Sequence, residues 1–129
     1  MKKKFLAVIA VILVAVCLAI TVSASLMWNL TSWYTHDIIF AGTEGEVLSE
    51  IRTDNSQCSI DGTVTLYRKV VFLWIKVDSW SKTTTGRSWF IQEPFTGTIG
   101  TKYKAVLSAT VSLNGTSDKI SDEVEMTCN

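Results

Sequence analysis

The chain has 129 residues, 12 basic and 12 acidic side chains, and no net charge. It lacks the basic excess that nucleic-acid binding requires, and its length allows one hydrophobic core rather than two. The single histidine, His36, and three cysteines leave little material for a catalytic or metal centre.

Residues 1–24 read as a signal peptide. Lys2, Lys3 and Lys4 form a positive start, Phe5 to Val22 is almost wholly apolar, and Val22-Ser23-Ala24 supplies the small residues of a cleavage site. The alternative is an uncleaved anchor, since roughly 18 apolar residues suffice to cross a bilayer. Lipidation at Cys17 is not expected, because Val16 stands where that processing needs a small residue. Cleavage leaves Ser25–Asn129 as a secreted protein with nine basic and twelve acidic side chains, a net charge of −3.

Beyond the leader, period-two alternation broken by Gly, Asn and Asp recurs, and no stretch keeps a helical period with caps. The expected strands are 33–40, 47–53, 57–68, 71–79, 87–92, 102–113 and 117–127. Residues 25–46 are read as an N-terminal segment of one strand plus linker, and 47–129 as the folded domain. The expected architecture is an immunoglobulin-like antiparallel β-sandwich of about seven strands.

Two stretches fix register in advance. Asn114-Gly115 is a strong two-residue hairpin signal. It pairs Leu113 with Thr116, and so Tyr103 with Met126, Ala105 with Val124 and Ala109 with Ile120 on one face. Lys104 then opposes Glu125 on the other, a favourable cross-strand charge pair. A turn at Asp61-Gly62 would mismatch the faces. Cys58, Ile60, Gly62, Val64 and Leu66 instead line one face of a continuous strand, with Gly62 a bulge or close-approach point. Cys128 continues the apolar face of Met126 and Val124. Both remaining cysteines therefore point inward, and an even count in an exported chain predicts a Cys58–Cys128 disulfide.

The segment Val64–Ser81 with Phe95–Glu123 resembles a group of small exported proteins of Gram-positive, largely clostridial, bacteria. The matching positions are Leu66, Trp74, Val77, Ser79, Trp80, Phe95, Gly97, Gly100 and Tyr103, and the likeness spans about residues 58–123. It implies export and a β-sandwich and supplies no activity. Phe95 replaces the group's usual Tyr, and apolar Val70, Val71 and Phe72 occupy a turn that is usually polar.

Little in the sequence points to chemistry. His36 beside Asp37 has no nucleophile motif and is read as a strand-surface side chain. The carboxylate groups, Glu44 with Glu46 and Asp118, Asp122, Glu123 and Glu125, are read as solvated strand faces. The stretch 118–123 lacks the EF-hand spacing, zinc spacing is absent, and the turn Gly97–Gly100 has neither the lysine nor the helix of a phosphate loop. The acceptor patterns at Asn29 and Asn114 are expected to stay unmodified in a bacterial protein. The expectation is a non-enzymatic binding protein without metal or cofactor, its ligand a protein or a glycan.

The aromatics carry the functional suspicion. Trp74 and Trp80 share parity, with Ile75 and Val77 on the opposite, inward face. Lys76 and Asp78 between them mark the tryptophan face as outer at its centre; against that, a buried Trp commonly anchors a sandwich core, and Trp74 is expected there, whereas Trp80 and Trp89 are candidate stacking surfaces for sugars. Val71 and Phe72 would sit at an apolar hairpin tip, either packed under the N-terminal segment around Met27–Trp33 or exposed as a candidate contact of an antagonistic or toxin-like factor with a membrane or a receptor. The tentative contact surface is thus Val71, Phe72, Trp80 and Trp89.

Overall fold

The computed structural model describes residues 29–129; the expected signal peptide and its expected cleavage site lie outside the described residues. The chain forms β1 (Thr31–Ala41), β2 (Glu44–Thr53), β3 (Ser59–Val70), β4 (Leu73–Thr85), β5 (Ser88–Thr96), β6 (Lys102–Leu113) and β7 (Thr116–Thr127). These make two antiparallel sheets, ordered β1-β2-β5 and β4-β3-β6-β7, packed as a β-sandwich. The boundary expected at 46/47 falls inside the β1–β2 hairpin, because β1 pairs with β2 from Thr31↔Thr53 to Ala41↔Glu44. Both sheets and their shared core lie within residues 29–129.

Alternation builds the core. Val47 and Ile51 of β2, Trp89 and Ile91 of β5, and Ile38 of β1 meet Ile60, Val64 and Leu66 of β3 and Leu107 and Val111 of β6. Each side chain buried this way contributes roughly 1.5–3 kcal/mol. The final hairpin has the register that Asn114-Gly115 dictates, including Tyr103↔Met126, Lys104↔Glu125 and Ala109↔Ile120. Its turn residues take φ of 50° and 82°, as a type I′ turn requires. Tyr103, near the start of β6, accepts a hydrogen bond at its hydroxyl from the Thr98 N–H (2.9 Å). This is the tyrosine corner of immunoglobulin-like sandwiches, and it pins the link between β5 and β6.

Gly62 is a close-approach point within an unbroken β3. A Cβ there would lie 2.5 Å from the Trp89 ring, so the indole lies against bare backbone. The ring N–H donates to the Lys82 carbonyl (2.8 Å). Trp89 is only 1% exposed, which removes it from the expected contact surface.

The cysteines do not pair. Both are free and fully buried, so the inward direction is correct and the disulfide is not. Ser59 pairs with Ser112, which places Cys58 beside the end of β6. Lys102 pairs with Thr127, and the Cys128 N–H bonds the Thr101 carbonyl, which places Cys128 beside its start. At about 3.4 Å per residue the two are roughly 40 Å apart along β6, far outside disulfide reach. Parity reveals which face a cysteine occupies and says nothing of its height on the strand.

Candidate functional site

The β3–β4 hairpin holds the structure's most conspicuous conflict with packing and backbone preference. Val70 pairs with Leu73, leaving Val71-Phe72 as a two-residue turn. Val71 has φ of 58°, a left-handed conformation that is an outlier for a β-branched residue. Its side chain is 77% exposed, that of Phe72 88% and that of Leu73 68%. Among the described residues the other non-glycine residue with positive φ is Asn114, whose short polar side chain tolerates it. The tip therefore spends both backbone strain and apolar exposure, and such strain accumulates where function requires it.

Behind the tip stands a ring of cations. From Leu66 to Val77 the chain carries Arg68, Lys69 and Lys76 and no acidic residue, although residues 29–129 are net negative. Lys69 pairs with Trp74, Arg68 with Ile75, and Tyr67 with Lys76. All three cations thus lie within three residue pairs of the tip, about 10 Å. Lys104 of β6 holds its ammonium 4.5 Å from the Trp74 ring centroid and 5.4 Å from that of Tyr67, while Lys69 sits 5.8 Å from Trp74. A small cleft beside the hairpin is lined by Arg68, Lys76, Val77, Thr96, Thr98 and Tyr103.

Trp74 is consequently not a core residue. The pairing of β3 with β4 shifts between Leu66 and Tyr67, and Val77 is the extra, unpaired residue, a β-bulge. Above the shift Trp80 pairs with Val64 and packs against the core. Below it Trp74 aligns with Lys69 on the outer face. The two rings fall on opposite faces, and Ile75 and Val77, expected to be buried, remain exposed. Trp80 is half-buried in a shallow groove with Phe90, Gln92 and Glu93.

The polar candidates have structural duties. His36 is not a surface side chain: its ring bridges the sheets, with Nε2 2.9 Å from the Ala105 carbonyl of β6 and Nδ1 2.6 Å from Ser49 Oγ of β2. A carbonyl only accepts, so in the neutral ring Nε2 carries the proton and Ser49 donates to Nδ1. Ser49 is 0% exposed, out of reach of any substrate, and Asp37 bonds the Ile38 N–H instead.

Asp118 was expected on a solvated face and is buried. Its carboxylate accepts from the peptide N–H groups of Asn29, Leu30 and Thr31 at 2.8–3.0 Å, tying the start of β1 to β7. Burial favours the neutral acid, but the N–H donors of Leu30, Asn29 and Thr31 outweigh it and hold the carboxyl below its ordinary range. Asp122 faces Tyr34 across the same seam. Burial first, and the Asp122 charge and hydrogen bond second, raise that phenol's pKa. Glu125 pairs with Lys102 (3.3 Å), and Glu123 and Glu125 are exposed as expected. Among the described residues, no three His, Cys, Asp or Glu side chains are grouped to hold a metal, and no helix is long and apolar enough to cross a membrane.

A scan of protein-family models finds no match to the chain, and a search of curated proteins finds none. Among solved structures the chain is similar to the β-glucuronidase of Parabacteroides merdae, at 15% identity and TM-score 0.43, over 75% of this chain and 13% of that one. The same enzyme with glycerol in its active site matches at 15% identity and TM-score 0.44, over 72% and 13%. A protein from Archaeoglobus fulgidus matches at 8% identity and TM-score 0.37, over 77% of this chain and 98% of that one. The chain therefore spans 13% of the length of the glucuronidase it matches.

Proposed function

We propose that the protein is an exported, non-enzymatic β-sandwich module that acts by binding, with the β3–β4 tip as its contact surface. Export is supported by the leader pattern of residues 1–24. The observation that carries the reading is the strained turn at Val71 with Val71, Phe72 and Leu73 presented to water. A solvent-facing turn with no contact to make has no use for a β-branched residue at positive φ, since glycine or asparagine forms it without strain.

The test is sedimentation of residues 25–129 with isolated envelopes of a Gram-positive bacterium. Wild type should be retained and Phe72→Asp released, with equal thermal stability. Retention unaffected by Phe72→Asp would remove the tip as the contact surface.

A second reading, glycan binding, has support from the groove that places half-buried Trp80 beside exposed Phe90. It predicts that Trp80→Ala, and not Phe72→Asp, releases the protein from insoluble glycans.

A further inference from the structure

We propose that the occupant of the tip is an anionic lipid bilayer: Val71, Phe72 and Leu73 enter the acyl boundary while Arg68, Lys69, Lys76 and Lys104 meet the headgroup phosphates. This rests on the tip being the contact surface and adds what it touches.

Three observations converge on lipid. The first is vertical order. The apolar residues occupy the turn and its closing pair, and the cations begin one residue pair behind it and end three behind. At about 3.4 Å per residue these levels lie roughly 3–10 Å behind the closing pair, a range that overlaps the 5–10 Å by which apolar faces sink below the headgroups. A cation collar at this height lies level with the phosphates.

The second is the indole behind the turn. Trp74 stands on the outer face, half-buried, one residue pair behind the closing pair of the apolar turn and level with Lys69, with the ammonium groups of Lys69 and Lys104 over its ring. An amphipathic ring flanked by cations is the side chain that settles at the membrane–water interface. The third is charge placement. Five of the nine cations among residues 29–129 are Arg68, Lys69, Lys76, Lys102 and Lys104, on adjoining strands at this end of the four-stranded sheet; Glu125 neutralises Lys102 there, which leaves four cations for the surface. A domain with net negative charge that gathers its cations behind an apolar tip is complementary to an anionic surface. The cleft between Arg68, Lys76, Thr96 and Thr98 offers two cations and two hydroxyls to a phosphate at the same level.

The experiment is flotation of residues 25–129, without the apolar leader, with phosphatidylcholine vesicles made with and without phosphatidylglycerol, at low and high salt. The protein should float with the anionic vesicles and be released by salt, because the collar's attraction is screened. Arg68→Gln and Lys76→Gln should each lower partitioning roughly fivefold, the contribution of one cation near an anionic surface. Phe72→Ser should lower it at least tenfold, by removing one phenyl side chain from the apolar phase; Phe72→Asp should abolish it. Serine separates loss of insertion from added charge, and thermal melts confirm that each variant is folded.

Equal flotation with neutral and anionic vesicles, or flotation indifferent to Phe72→Ser, would overturn the inference. Envelope retention that needs Phe72 and is lost after protease treatment of the envelopes, with no flotation on any vesicle, would assign the tip to a protein receptor. The lipid inference would then fail while the contact surface stood. Envelope retention that ignores Phe72 would fail the contact surface itself.

Discussion

Replacing Val71 with glycine should make the protein more stable and a poorer binder at once. A left-handed φ costs an L-residue with a Cβ about 1–2 kcal/mol, and Val71 sits at 58°. Glycine removes that cost and gives back about 0.5–1 kcal/mol through its greater freedom in the unfolded chain. Little burial is forfeited, because the valine side chain is largely in water. The net gain is about 0.5–1 kcal/mol, or a rise in Tm of roughly 3–6 °C for a domain of this size. Thermal unfolding followed by near-UV circular dichroism measures it. In the vesicle assay the same variant should bind several-fold more weakly, since one apolar side chain has left the tip. An unchanged or lower Tm would refute the reasoning, because it would mean that the turn is unstrained or that the side chain packs. Opposite signs for stability and binding are the expected mark of strain kept for function.

Gly62→Ala should destabilise the fold by about 2–3 kcal/mol in a denaturant titration, because its Cβ would meet the Trp89 ring at 2.5 Å. A smaller Trp89→Leu side chain should recover part of that loss in a double-mutant cycle. Asp118→Asn should cost about 2 kcal/mol, by weakening the acceptor for three peptide N–H groups. Since folding depresses the Asp118 pKa, its contribution is complete above the ordinary carboxylate range and is lost as pH falls through the folded-state value. Wild type should therefore lose more stability on acidification below that range than the Asn variant does. Cys58 and Cys128 should both alkylate in denaturant without reductant, and reductant should leave Tm unchanged. Alkylation only after reduction, with a loss of roughly 4 kcal/mol, would restore the disulfide.

What could be read from the sequence was what depends on local parity and turn chemistry. Asn114-Gly115 determined a twelve-pair register because only residues tolerant of positive φ close a two-residue hairpin. Gly62 could be recognised as a close-approach point because a turn there would have mixed the faces. The errors arose where geometry accumulates along a strand or between sheets. The extra residue at Val77 reverses the faces of Trp74 and Trp80, and alternation carries no mark of a bulge. The two cysteines share an inward face at opposite ends of the sandwich. Trp89 is buried because the bare backbone of Gly62, on the other sheet, makes room for it.

Some misses were recoverable. A two-residue turn at Gly42-Thr43 places His36 opposite Ser49, and the parity of Ile120 and Val124 places Asp118 and Asp122 on the inward side of β7. The apolar tip itself was visible as Val71-Phe72 standing where turn residues belong. Its strain, and the cation collar assembled from β3, β4 and β6, required the fold.

An amide-resolved NMR titration of isotope-labelled residues 25–129 with phosphatidylglycerol nanodiscs tests the central claim most directly. Signal loss should concentrate in residues 68–76 and around Lys104, and leave β1, β2 and the Trp80–Phe90 groove unchanged. Perturbation centred on Trp80, Phe90 and Gln92, with the tip silent, would contradict the account.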